Sequence, residues 1–183
     1  MKRIETKALH AGAPRPRVEG AVVTPVFQSS TFEYHGEDYH DVGYLRLSTS
    51  PNHQVLARRI AALEEAESAL VTGSGMAAIA GTLISLLSAG DHVLVQDCLY
   101  GGTSGLLAND LRRLGISHSV IDPQDPDTWG AQVRQETRVI YVETLTNPLV
   151  QMADLEAVAA FAREHGLVSV IDNTFASPVG FRP

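Results

Sequence analysis

The chain reads as an α/β protein built on a parallel-type sheet with helices on both faces. Three observations predict this. Short apolar runs recur at His92–Gln96, Ser117–Ile121, Arg138–Glu143 and Leu167–Ile171, and runs of this length suit strands buried on both faces. Segments with helical spacing separate them, and strands joined by helical crossovers lie parallel. The last run lies in Leu167–Pro178 (LVSVIDNTFASP), reaches Asp172 and turns at once through Asn173 and Thr174. In open α/β sheets, ligands sit at the C-terminal ends of parallel strands. Asp172 is therefore the first candidate for chemistry; the alternative is a strand-end carboxylate that caps the next turn.

Taken in order, residues 1–50 differ from the rest. They carry several Pro and Gly and clustered aromatics at Phe27, Phe32, Tyr34, Tyr39 and Tyr44, with no long helical or strand pattern. A segment this long without regular structure reads as an arm lying on another subunit, with disorder as the alternative. Ser50 and Pro51 then suit an N-cap and a first helical position, and Leu56, Ile60 and Leu63 form a stripe in a helix running to about Ala66. A second helix carries Met76, Ile79, Leu83 and Leu86 on one face and ends near Gly90. Helices are expected over Gly102–Leu114, stopped by Gly115, over Pro126–Arg134, and from an Asp154 cap through Ala162, closed by Gly166. No strand or helix is expected after Asp172, so the pattern reads as a domain that stops midway.

The totals exclude several classes. The chain has 183 residues, 44% of them hydrophobic, enough for a domain with a core. Its most apolar stretch, Val71–Leu87, is broken by Thr72, Gly73, Ser74, Gly75, Gly81 and Thr82, so no membrane span is expected. The N-terminus has no apolar signal segment, and a cytoplasmic protein is expected. A net charge of −7 argues against broad nucleic-acid binding. The lone cysteine, Cys98, builds neither a disulfide framework nor a zinc site and reads as a small packed residue. The histidines, among them His35 and His40, are scattered, so no metal site is expected.

Other stretches join Asp172 on the same rim. Gly73-Ser74-Gly75-Met76 precedes a helix; its free amides can hold an anion, or the segment is a tight turn with a Ser cap. Tyr100 opens the helix after the His92–Gln96 strand and can stack on a planar ring, or is a loop aromatic. Asn147, in Glu143-Thr144-Leu145-Thr146-Asn147-Pro148, can bond a ligand hydroxyl or carboxylate, or starts the turn before Pro148. Loops gathered with a carboxylate on one rim favour a site more than any one of them does.

These pieces in order resemble the pyridoxal-phosphate-dependent enzymes of cysteine and methionine metabolism, the group around cystathionine gamma-synthase, cystathionine lyases and methionine gamma-lyase. The likeness runs through Thr6–His10, Pro25–Phe32 (PVFQSSTF), Tyr44 with Arg46, Ala61–Glu64 (AALE), Ser74–Ile79 (SGMAAI), Tyr100–Thr103, Glu143–Pro148 and Asp172–Phe175 (DNTF). It covers nearly the whole chain and about the first half of such an enzyme. It implies an aspartate-aminotransferase-like, fold-type I large domain, incomplete here. Residues 1–50 would be an arm reaching a neighbouring subunit's site, and residues 51–183 the first part of the cofactor domain. Pyridoxal 5′-phosphate is the implied cofactor. Gly75 and Met76 would give amides to its phosphate, and Tyr44 and Arg46 would reach the phosphate of the neighbouring site. Tyr100 would stack on the ring and assist proton transfer. Asn147 would sit near the ring hydroxyl, Asp172 would pair with the ring nitrogen, and Thr174 belongs to the same cofactor set. The implied substrate is a sulfur amino acid or activated homoserine, undergoing elimination or replacement, in a homodimer or homotetramer.

The chain departs from the family pattern in places. Leu45 stands where Ser is usual, the Leu47–Asn52 segment is longer, and Thr144-Leu145 replace Ser-Pro. The lysines are Lys2 and Lys7, whereas the family's Schiff-base lysine would fall beyond Pro183. The chain alone is therefore expected to be inactive. Two readings stand: part of a working enzyme, or a truncated, non-catalytic remnant with a cofactor-binding or structural role.

Overall fold

The computed structural model describes residues 3–38 and 42–183. Lys2, Tyr39 and His40 lie outside the described residues. The chain divides into two compact units, Met1–Val71 and Thr72–Pro183.

In the first unit, α1 (Ile4–His10) is a short helix in the segment expected to lack long regular structure. It packs on α2 (Pro51–Glu64). Lys7 Nζ donates to Glu65 Oε1 at 2.6 Å, and Arg59 Nε to the Ala11 carbonyl at 3.0 Å. Gly12 lies between them with φ +71, where a Cβ would meet the Arg59 amide and the Val55 carbonyl at 2.8 Å, so only glycine fits. Ser50 precedes α2 as expected. Its hydroxyl, however, bonds His53 Nδ1 at 2.7 Å rather than a backbone amide. The Leu56–Ile60 stripe stays partly exposed.

The second unit is a sheet of β1 (His92–Gln96), β2 (Ser117–Ile121), β3 (Thr137–Glu143) and β4 (Val168–Asp172). The order is β2-β1-β3-β4, and every pairing is parallel. Val93, Val95, Val139, Tyr141 and Val170 face α3 (Gly75–Leu86) and α4 (Gly101–Gly105), packing on Leu83, Leu107 and Leu111. Leu94, Ile140, Val142 and Ile171 face α5 (Leu155–His165), with Trp129, Val158 and Phe161. Helical structure therefore covers both faces. The chain steps from β2 back across β1 to β3, and in such sheets this change of direction opens the crevice that ligands use.

Three expectations need correction. The helix foreseen over Gly102–Leu114 passes from α4 into a π turn, Leu106–Leu111, whose wider winding buries Leu106, Leu107 and Leu111 together. The Pro126–Arg134 segment is a 3₁₀ helix, Pro126–Gln132. It is short, contains Gly130, and is pinned by Trp129, which is fully buried and donates Nε1–H to the Asp122 carbonyl at 2.6 Å. After β4 the chain forms one further helical turn, α6 (Ser177–Gly180), where none was expected.

At the N-terminal end of the sheet, buried His92 bridges neighbouring strands. Its Nδ1 lies 2.8 Å from Thr137 Oγ1 and its Nε2 3.0 Å from Ser119 Oγ. Both hydroxyls already accept from Arg134, through its backbone N–H (2.8 Å) and its guanidinium (2.9 Å). A neutral imidazole suits this network better, because its bare ring nitrogen accepts from one hydroxyl, whereas a charged ring would leave both hydroxyl protons without an acceptor in it. Burial, then Arg134 and His118, lower the His92 pKa, while Glu136 opposes them. A base whose folded pKa is depressed costs stability once it must charge. Stability from this site is thus intact above about pH 6.5 and falls as pH drops toward the folded value. Urea unfolding at about pH 7.5 and about pH 5.5 should show this acid loss in the parent chain and a smaller loss in His92→Gln. Equal losses in the two would refute it.

Candidate functional site

The C-terminal rim of the sheet meets the N-terminus of α3 in a cavity of about 460 Å³. Gly75, Met76, Tyr100, Asn147, Asp172 and Thr174 all line it, with Ser74, Ile79, Glu143, Leu145 and Phe175. Tyr44 and Arg46 belong to the first unit. There Arg46 Nε donates to Tyr44 Oη at 2.6 Å, and its guanidinium lies 5.0 Å from the ring centre.

Each wall follows from local structure. Ser74 caps α3, its Oγ accepting from the Ala77 amide at 3.1 Å, and its carbonyl accepts from Ala78. Gly75 and Met76 then carry the first-turn amides for which a helix has no acceptor of its own. With the helix dipole they favour an anion. A Cβ at Gly75 would meet nothing within 4 Å, so the space beside that amide is open.

Tyr100 follows β1, and its amide donates to Glu143 Oε1 at 2.7 Å. Gln96 closes the same corner: its Oε1 accepts from the Glu143 amide at 2.9 Å, and its Nε2 donates to the Cys98 carbonyl. Gly102 lets Tyr100 and Met76 come together. A Cβ there would stand 2.6 Å from Tyr100 Cε1 and 2.7 Å from Met76 Sδ.

The acidic wall comes from register. Glu143 on β3 and Asp172 on β4 are direct partners, so their side chains share a face. Burial raises the Glu143 pKa and the neighbouring Asp172 raises it further, while the Tyr100 and Asn147 amides oppose this. Asp172 is held at both oxygens. Oδ1 accepts from the Thr174 amide at 3.0 Å and from its hydroxyl, and Oδ2 accepts from Tyr141 Oη at 3.1 Å. The strand exits are tied together, since Thr144 N–H donates to the Asp172 carbonyl at 3.0 Å and Thr144 Oγ1 to Asn173 Oδ1 at 2.8 Å.

The residues named from sequence at this rim thus share one cavity. The sequence reading assigned no role to Glu143, and it missed Tyr141, Gln96 and Gly102. Only the glycine run Gly101-Gly102 gave any signal, as a place where side chains approach the backbone closely. The donor set suits pyridoxal phosphate: free amides for an anion, an aromatic side chain for a planar ring, and a carboxylate for a protonated ring nitrogen. Among the described residues, no group of His, Cys, Asp and Glu is placed to hold a metal ion. None of the described helices is long and apolar enough to cross a membrane.

The comparisons agree with this chemistry. The family profile of Cys/Met metabolism PLP-dependent enzymes matches residues 5–183. A "Probable cystathionine gamma-synthase" of Herpetosiphon aurantiacus is 42% identical over 97% of this chain and 56% of its own length. The crystal structure of cystathionine gamma-lyase from Lactobacillus plantarum, complexed with L-serine, superposes with a TM-score of 0.89. It is 37% identical over 97% of this chain and 46% of that one. A Campylobacter jejuni protein whose structure holds N′-pyridoxyl-lysine-5′-monophosphate gives a TM-score of 0.88 at 31% identity, over 98% of this chain and 46% of that one. The α/β architecture is that of these solved structures, the fold-type I class implied by the sequence. The chain spans about half the length of the curated relatives it matches.

The Gly102 contact gives a direct test. Gly102→Ala should swing the Tyr100 ring off Met76 while the fold persists. Tyr100 ring signals in NMR should shift, with the urea midpoint lower by only about 1 kcal/mol equivalent. Unchanged Tyr100 signals would show that the glycine does not set the ring's place.

Proposed function

This chain belongs to the pyridoxal-phosphate-dependent enzymes of cysteine and methionine metabolism, and we propose that its cavity is the ring and phosphate side of a pyridoxal phosphate site. The enzyme carries out elimination or replacement at the β- or γ-carbon of a sulfur amino acid or activated homoserine. One observation carries this reading: six residues assigned to the cofactor by resemblance, spread from Gly75 to Thr174, line a single cavity.

The Gly75 and Met76 amides take the phosphate, helped by the α3 dipole. Tyr100 would stack on the ring and hold a proton at its phenol oxygen. Asn147 would bond the ring hydroxyl, and Asp172, oriented by Thr174, would accept from the protonated ring nitrogen. Bound pyridoxal phosphate supplies an electron sink for the bond broken at the substrate α-carbon. Residues 1–50 act as an arm that brings Tyr44 and Arg46 to the phosphate of a neighbouring subunit, in a homodimer that pairs into a homotetramer. The lysines are Lys2 and Lys7, and Lys7 is occupied by Glu65. Neither lysine belongs to the residues assigned to the cofactor, so these 183 residues are expected to hold it reversibly.

Equilibrium dialysis against pyridoxal phosphate tests the site. The parent chain should bind reversibly, and Asp172→Asn should bind roughly tenfold more weakly, as expected for losing a charged hydrogen-bond acceptor. Pyridoxal, without the phosphate, should bind more weakly still. If neither change alters affinity, the cavity is not the cofactor site. The reaction class is tested by offering the native enzyme containing this chain L-cystathionine, L-methionine, and O-acetylhomoserine with and without L-cysteine as the incoming thiol. Release of no 2-oxo acid and formation of no new thioether would remove the proposed chemistry.

A further inference from the structure

We propose that Tyr141 is a positioning residue of this site: its phenol holds Asp172 Oδ2 from beneath and so aims the carboxylate at the ring nitrogen of the cofactor. The proposal rests on reading the cavity as a pyridoxal phosphate site.

Tyr141 stands within β3, opposite Val170 of β4, with its ring in the apolar layer under α3 and α4. It is only 1% exposed. The ring alone would pack equally well as phenylalanine; the hydroxyl is the extra feature. A buried phenol needs a partner, and this one finds Asp172 Oδ2 at 3.1 Å. Burial strongly raises the Tyr141 pKa and Asp172 raises it further, so the phenol keeps its proton and can only be the donor. The buried Thr103 hydroxyl on α4, without a hydrogen-bond partner among the described residues, lies beside the same phenol. Its O–H can support the phenol oxygen when Tyr141 donates.

A turn-capping role accounts for only half of what holds Asp172. Thr174, two residues on, occupies Oδ1 through its amide and hydroxyl, as strand-end aspartates commonly do in turns. A turn cap has no use for a second donor rising from the core onto Oδ2. With both oxygens held from different sides, the carboxylate plane cannot rotate freely. An acceptor fixed in this way offers its remaining lone pairs in one direction, toward the cavity that Asp172 lines.

The test uses two ligands that differ only at the ring nitrogen: pyridoxal phosphate and its 1-deaza analogue, in which C–H replaces that nitrogen. Tyr141→Phe removes only the hydroxyl. It should weaken pyridoxal phosphate by roughly fivefold to tenfold while leaving the analogue within about twofold. Equal weakening of both ligands would mark Tyr141 as merely structural, and no weakening of either would also overturn the proposal. A second measurement needs no ligand. The ¹³C resonance of the Asp172 carboxyl should differ between the parent chain and Tyr141→Phe, and an unchanged resonance overturns the proposal. If the parent binds neither ligand, the cofactor reading fails, and the carboxyl resonance alone decides whether Tyr141 grips Asp172.

Discussion

The cavity's acidic wall depends on the pairing of β3 with β4, from Val139 opposite Val168 to Glu143 opposite Asp172. Side chains alternate along a strand, so Val139, Tyr141 and Glu143 share a face with Val168, Val170 and Asp172. A slip of one residue would send Tyr141 and Asp172 to opposite faces and dissolve the acidic wall. Both faces are apolar over most of their length, so hydrophobic burial alone specifies this register weakly. Polar groups specify register better. At the C-terminal ends of β3 and β4, the Thr144 amide meets the Asp172 carbonyl and the Thr144 hydroxyl meets Asn173 Oδ1. At the other end of the sheet, His92 needs Ser119 and Thr137 opposite its ring nitrogens, which sets β1 against β2 and β3. A slip would leave buried polar groups without partners, which costs more than an imperfect apolar contact.

The cavity is consequently polarised. Free amides at the start of α3 place partial positive charge at one wall, and Asp172 with Glu143 forms the acidic wall. A ligand with an anion at one end and a protonated nitrogen at the other fits that arrangement; a simple anion would use only half of it. The two carboxyls do not behave alike. Glu143 is buried and its charge is disfavoured, and it works as an acceptor for the Tyr100 amide. Asp172 has side-chain and backbone donors on both oxygens and lines the cavity. Partner choice thus separates two carboxyls on one cavity wall: Glu143 braces the Tyr100 amide, and Asp172 is held at both oxygens.

Much of this architecture was legible in the residues. β1 falls at the bounds expected from its apolar run, because a strand buried on both faces leaves an uninterrupted signal; β2 also falls at its expected bounds, although it is an edge strand with Ser117 and Val120 exposed. Helix winding was not legible: Leu106, Leu107 and Leu111 suit an α-helix until the sheet beneath them favours a π turn. Trp129 likewise decides a 3₁₀ helix through a contact with Asp122 that helical spacing cannot announce. Asp172 stood out by its place at a strand end. Tyr141 did not, because its contact spans 31 residues and exists only once two strands have found their register. The hydroxyl in an apolar strand was visible, but its partner was not.

The departures from the family pattern fall unevenly around this frame. Thr144 and Leu145 stand where Ser and Pro are usual. Thr144 keeps a hydroxyl and spends it on Asn173, tying the exits of β3 and β4 beneath Asp172. That substitution preserves the brace. Leu145 points the other way in effect: it lines the cavity and pairs with Met152 through an isolated antiparallel bridge. A leucine there is longer and more flexible than a proline ring, and its backbone is not locked at one φ. Leu145 thus forms part of the cavity wall, apart from the Tyr141 and Thr174 contacts that hold Asp172. A substitution at Leu145 leaves the residues proposed for the ring in place, which puts it among the first positions to vary in testing the proposed function.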